Sequence, residues 1–216
     1  MTLTIDRLSL HADGVAHGAA GTVHVAMALP GEEVDGEVSE GRIAAPRILT
    51  PSPERVKAPC PHYRACGGCV LQHASDRFVE GWKASVVTSA LAQRGIEARV
   101  LRVEASPPMS RRRATLSGRR TKKGTLVGFH ARASDTVVEV PECRILRPEL
   151  LAAMPALHEA TALGASRKGE ISFALTLSEA GIEVAARGGK EMDAALYEAL
   201  AELARRHDLA RLNWGE

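Results

Sequence analysis

Aromatic side chains are scarce: Phe, Trp and Tyr make up 3% of the 216 residues. Ala, Val and Leu must therefore fill most of any core, and few rings are left to stack on bases. An excess of one charge is missing too. The formal net charge is +2, so a nucleic-acid footprint has to be local rather than global. No apolar run approaches the roughly 18 residues that a membrane-spanning helix needs, which argues against a membrane partner. The opening "MTLTIDRLSL" lacks a basic start followed by an apolar stretch, so no secretory signal is read. A cytoplasmic location is expected, and with it reduced thiols. Cysteine itself is rare, four residues in all. What remains is ordinary for a globular chain: 45% hydrophobic and 25% charged residues, enough for one large domain or two to three small ones.

The first fifty residues read as short strands. "LTIDRLSL" alternates apolar and polar residues, "HADGVAHGAAG" supplies turn glycines, "GTVHVAMAL" is a second strand, and two more follow around turns. Strands at this spacing suggest a small β-barrel. "TPSPERVKAPCP" reads as a proline-rich linker. A helix is predicted from a cap at Ser75 or Asp76 to a stop at Gly95, with Phe78, Trp82, Val86 and Leu91 on one side. "EARVLRV" is expected to be a strand, as are the pieces around "RRRATLSGRR", "TLVGFHA" and "TVVEV". "PELLAAMPALHEATAL" reads as a helix broken at Pro155, and "GEISFALTLSEAGIEVAARG" as a hairpin. The last helix places Met192, Ala195, Leu196, Ala199, Leu200 and Leu203 at core spacing, before the strand-like "DLARLNWGE". The fold class is α+β, in three parts: a β-barrel over 1–52, a cysteine loop with its helix over 53–95, and a central antiparallel β-rich domain with helices over 96–216. The abrupt end suggests the front part of a longer protein.

Three of the four cysteines fall within "CPHYRACGGCVLQH", as Cys-x5-Cys-x2-Cys, and the fourth is Cys143 in "VPECRIL". Disulfides suit a small secreted protein, which this is not. Unconnected core cysteines require four loop placements by coincidence. Metal binding is the reading the pattern favours. Structural zinc commonly uses two Cys-x2–4-Cys knuckles. One loop with three ligands and a distant fourth better suits a cubane [4Fe–4S] cluster, in which each iron takes one thiolate; zinc stays open as the alternative. Gly67 and Gly68 permit close backbone approach to inorganic sulfide. His62 and His73 flank the loop and read as polar loop residues. Cys66 and Cys69 have no adjacent base that would make either a nucleophile.

"SRRRATLSGRRTKK", residues 110–123, carries seven of the 28 basic residues and no acid. Arg111, Arg112, Arg113, Arg119, Arg120, Lys122 and Lys123 are the candidate RNA contacts. On a strand, Arg111 and Arg113 share one face and Arg112 takes the other. Guanidinium groups pair with phosphate, which supplies affinity and not sequence reading. Arg7, His11 and Lys57 are further backbone candidates that nothing in the sequence ranks.

Together these segments resemble the iron–sulfur 23S ribosomal RNA (uracil-5-)-methyltransferases. "IDRLSLHADGVAH" with "GTVHVAMALPGEEVDGEV" is similar to the TRAM domain, a small OB-like RNA-binding barrel. "CPHYRACGGCVLQHAS" looks like the family's cluster loop, and "RRRATLS" with "LVGFHARASDTVVEVPECRIL" like parts of its central domain. The resemblance implies that Cys60, Cys66, Cys69 and Cys143 hold a [4Fe–4S] cluster. It implies methyl transfer from S-adenosylmethionine to uridine C5 in RNA, ribosomal RNA in that family, with a cysteine adding to C6 and a base removing the C5 proton. No fifth cysteine is present, and no Rossmann-type glycine turn with an acidic ribose ligand is read. The expectation is therefore a monomer that binds RNA and a cluster, with the S-adenosylmethionine site and catalysis in a C-terminal domain absent from this chain. The alternative is a free-standing RNA-binding module stapled by zinc or iron–sulfur. A radical S-adenosylmethionine enzyme fits less well, since its Cys-x3-Cys-x2-Cys loop leaves one iron open.

Overall fold

A computed structural model describes residues 1–19 and 21–215. The chain forms two compact units. The first joins Met1–Pro59 to Cys69–Ala105, and the second joins Cys60–Gly68 to Ser106–Glu216.

In the first unit seven short strands run in chain order: β1 (Thr2–Thr4), β2 (Arg7–Leu8), β3 (Gly14–Gly18), β4 (Gly21–Val25), β5 (Glu33–Asp35), β6 (Arg42–Ile43) and β7 (Arg47–Thr50). They make a sheet of order β1-β5-β7 and another of order β2-β3-β4-β6, in which β6 runs parallel to β4. Leu3, Ile5, Ala16, Val23, Val25, Ala28, Val34 and Ile43 form one buried cluster, none larger than an aliphatic side chain. Two local readings need correction. "LTIDRLSL" is two strands, because the chain turns aside at Ile5 and Asp6: Ile5 bonds to Glu32 and Gly31, while Asp6 bonds to Val15. "HADGVAHG" is not only a turn, for β3 occupies its second half and pairs along β4. Gly14 is needed there, since a β-carbon would stand 3.0 Å from Ile5 and 3.1 Å from Ala28.

The proline-rich stretch does structural work. Arg55 bridges to Ala74, Val56 N–H donates to the His73 carbonyl, and Ser75 N–H donates to the Glu54 carbonyl. Arg55 also reaches the fully buried Glu32. Oε1 of Glu32 accepts from Arg55 Nε at 2.5 Å and Ser52 N at 3.1 Å, and Oε2 accepts from Arg55 Nη2 at 2.7 Å and Leu29 N at 2.8 Å. Burial alone would raise this carboxyl, but the Arg55 bonds and the two backbone amides outweigh it and hold it below the usual carboxylate value.

Helix α1 (Asp76–Ala92) starts where Ser75 accepts from Phe78 N–H at 3.2 Å, and the chain leaves it through Gly95 at positive φ. Phe78, Val79 and Trp82 pack against Leu8, Ala12, Leu29, Leu71 and Ala74. The expected strand at 97–103 does not form. Leu101 is 85% exposed and Ile96 and Val100 are also exposed. Alternation there satisfies the pattern of a strand, but no ladder partner satisfies its backbone.

The second unit is one six-stranded sheet with helices on one side. Its elements are β8 (Arg113–Thr121), β9 (Gly124–His130), β10 (Val137–Val138), α2 (Pro148–Ala152), α3 (Met154–Gly164), β11 (Glu170–Ser178), β12 (Gly181–Arg187), α4 (Ala194–Arg206) and β13 (Leu209–Trp214), and the sheet order is β10-β9-β8-β11-β12-β13. Pro155 stands in the first turn of α3, where no N–H is required, so the predicted break falls two residues before it, at Ala153. Leu116, Val127, Ile171, Phe173, Leu175 and Val184 point to the helix side and pack with Leu150, Leu157, Leu196, Leu200 and Leu203. Met192 and Ala195, placed in the core by periodicity, are exposed, because α4 begins only at Ala194 and buries a narrower stripe. The sheet is not wholly antiparallel, since α4 carries the chain over so that β13 runs parallel to β12. No helix among the described residues is long and apolar enough to cross a membrane.

Candidate metal centre and nucleic-acid interface

Within the second unit, two stretches 63 to 80 residues apart in sequence are knitted together. Gly67 N–H donates to the His130 carbonyl at 2.9 Å, Cys66 bridges to Ala131, and Glu142 N–H donates to Nε2 of His62 at 3.3 Å. His62 thus locks the 140–143 turn. His73, read as a polar loop residue, is instead buried in the first unit, with its carbonyl taken by Val56. Gly67 allows the docking, because a β-carbon would stand 2.8 Å from the His130 carbonyl oxygen.

The segments so joined carry Cys60, Cys66 and Cys143, all buried and none in a disulfide. Burial pushes the Cys66 thiol up; the Gly68 amide, donating to its sulfur at 3.3 Å, pulls the other way, and Cys143 and Cys60 add to the rise. Cys66 and Cys143 belong to one buried cluster of the second unit. Cys69, half-buried, opens the second stretch of the first unit. Among the described residues no group of three or more Cys, His, Asp or Glu stands converged in metal-holding geometry. In donor chemistry the four are soft thiols of the kind a thiophilic metal takes, and Cys66 already accepts a backbone N–H.

The basic segment is divided by the fold. Arg111 lies before β8, bonded through its backbone to Ile145 and Arg147, and the Arg112 guanidinium donates to the Leu177 carbonyl at 3.0 and 3.2 Å. Arg113 is exposed at the start of β8, while Arg120, Lys122 and Lys123 are exposed at its far end, about 26 Å away at 3.3 Å per residue. Between them Arg119 is engaged: its Nε lies 2.5 Å from Glu170, which also takes His130 Nε2 at 2.9 Å. An acid absent from the segment is supplied by the neighbouring strand, which sequence order alone does not reveal. The sheet face away from the helices carries Thr115, Ser117, Arg119, Ser172 and Thr176, all polar.

No protein-family model matches the chain. Over 211 residues, 98% of the chain, it is 37% identical to an uncharacterized RNA methyltransferase of Brucella suis biovar 1, of which it covers 51%. It is 38% identical over 167 residues, 73% of the chain, to a 23S rRNA (uracil(1939)-C(5))-methyltransferase of Erwinia tasmaniensis, of which it covers 38%. Among solved structures, the tRNA (uracil-54, C5)-methyltransferase of Pyrococcus abyssi in complex with S-adenosyl-L-homocysteine matches 92% of this chain and 48% of its own, with a TM-score of 0.63 and 21% identity. The homologues are RNA methyltransferases, uracil-C5 enzymes among them. The chain spans about half the length of the curated relatives it matches.

The β12–α4–β13 crossover is where a nucleotide-type cofactor would be sought, since Gly188 and Gly189 lie between strand and helix. Those glycines are taken up by packing. A β-carbon on Gly189 would run into the Trp214 ring, and one on Gly188 would stand 2.7 Å from the Glu170 carbonyl oxygen. Trp214 Nε1 donates to the Lys190 carbonyl at 3.0 Å.

Proposed function

We propose that this chain is the RNA-binding and cluster-carrying portion of an RNA uracil-C5 methyltransferase. The observation that carries the reading is 37% identity along 98% of the chain to an RNA methyltransferase. RNA, with ribosomal RNA as the class, is the partner. The first unit's strands correspond to a TRAM-type RNA-binding module. In the second unit, Arg111, Arg113, Arg120, Lys122 and Lys123 supply phosphate contacts at the two ends of β8. Arg112 and Arg119, held by Leu177 and Glu170, shape the strand more than they bind.

Cys60, Cys66, Cys69 and Cys143 would hold a [4Fe–4S] cluster, which supplies a covalent staple between the 60–69 loop and the 140–143 turn. The bonds of His62 and Gly67 hold the two segments together, and a metal taken up by the thiolates would displace their protons. Methyl transfer from S-adenosylmethionine is the whole protein's chemistry, and no residue described in this chain is assigned a step in it.

Calorimetry tests the division of labour. Anaerobically purified chain titrated with a 23S ribosomal RNA fragment should bind saturably and more weakly with rising salt, and should give no heat with S-adenosylmethionine. Micromolar binding of S-adenosylmethionine would contradict the assignment, as would a failure to bind RNA.

A further inference from the structure

The first unit contains a cleft of about 620 Å³ between the β2 region and α1, with mostly apolar walls. Leu8, Phe78, Trp82 and Val86 line it, and Arg7 and Arg77 stand at its margin. Phe78 and Trp82 pack one side on the Leu8 and Leu29 cluster and are only half-buried, so part of each ring is left to line the cleft. Two carboxylates also line it, and both are engaged elsewhere: Asp6 with His17 Nδ1 at 2.9 Å, Glu54 with the Ser75 hydroxyl. Neither Arg7 nor Arg77 has a carboxylate within ion-pair distance among the described residues, and both are exposed.

We infer that this cleft takes an unpaired nucleotide of single-stranded RNA, its base against Trp82 and Phe78 and its phosphates against Arg7 and Arg77. A nucleotide has a flat apolar ring between anionic ends, and the cleft offers an aromatic wall with cationic margins. A helical peptide without acidic residues, the rival occupant, would leave both guanidinium groups without an anion. The inference rests on the RNA-binding function proposed above and names the residues by which the first unit would take part in it.

The test uses the Trp214→Phe chain, in which Trp82 is the only tryptophan. Fluorescein-labelled twelve-nucleotide oligo(U) is followed by anisotropy, and the same unlabelled RNA by tryptophan emission. Binding should quench Trp82. Trp82→Leu, which keeps apolar volume, should weaken RNA binding at least about fivefold, while Trp82→Phe should restore most of it. Arg7→Gln and Arg77→Gln should each lower the salt slope by about one. Circular dichroism melts show that each variant is folded. If RNA binds by anisotropy but leaves Trp82 emission and the Trp82→Leu affinity unchanged, the cleft is not the site, although RNA binding itself stands. If an amphipathic peptide and not RNA quenches Trp82, the inference is likewise overturned. If no RNA binds at all, the function proposed for the chain falls with it.

Discussion

The two units solve the problem of holding a fold together by different means. The second buries Phe173, Leu116, Leu175 and Leu203 in one apolar cluster beneath a six-stranded sheet. The first has strands of two to five residues and a core of small aliphatic side chains, and it adds a fully buried carboxylate, Glu32, that gathers Leu29, Ser52 and Arg55. Short strands bury too little apolar area to fix their loops, so a charged hub sets loop geometry that packing leaves loose. Stability in one unit should therefore respond to lost volume, and in the other to lost charge.

Phe173→Ala should give the largest effect, about 3–5 kcal/mol, through the cavity it leaves. Hydrogen exchange should show the loss in β8, β11 and β12, with the strands of the first unit little changed. Equal loss in both would break the comparison.

Glu32→Gln should cost about 3 kcal/mol or more, since it leaves the Arg55 charge without its partner, and exchange should rise at Leu29 and Ser52. The pH dependence has a definite sign. Glu32's folded pKa is lowered from 4.5, so its contribution is complete above that value and is lost as pH falls toward the folded one. The wild-type first unit should weaken on acidification below about pH 4.5. The Gln variant, already weak, should show a flatter acid limb. A thermal melt series from pH 6 downward checks this, and parallel curves would contradict it.

Cys143→Ser should abolish iron binding and lower the melting temperature of the second unit while leaving the first folded. Unchanged iron content and melting temperature would count against the staple. Smallest is the difference between arginines. Arg111→Ala with Arg113→Ala should weaken RNA binding and flatten its salt dependence, whereas Arg119→Ala should change affinity less, because Glu170 already neutralises that side chain. Equal effects would show that the Glu170 pair opens on binding.

Much of this was legible in the residues. The α1 cap at Ser75, the break before Pro155 and the hairpin closing at Gly181 followed from local chemistry with physical meaning at single positions. Failures came where the decisive partner lies far away in sequence. The 97–103 stretch alternates like a strand but finds no ladder, and Arg119 looked free until β11 brought Glu170 beside it. Arg55 read as linker because its partner Glu32 is 23 residues distant. Among the cysteines, spacing picks out the loop's three thiols, while the bonds that join that loop to the Cys143 turn, from Gly67 to His130 and from Glu142 to His62, are visible only in the fold.

The most direct test of the account is the metal content of the chain purified without oxygen. About four iron and about four acid-labile sulfide per chain, with a broad visible absorption lost in the Cys143→Ser variant, is the predicted result. One zinc per chain, or no metal with all four thiols freely titrating, would contradict it.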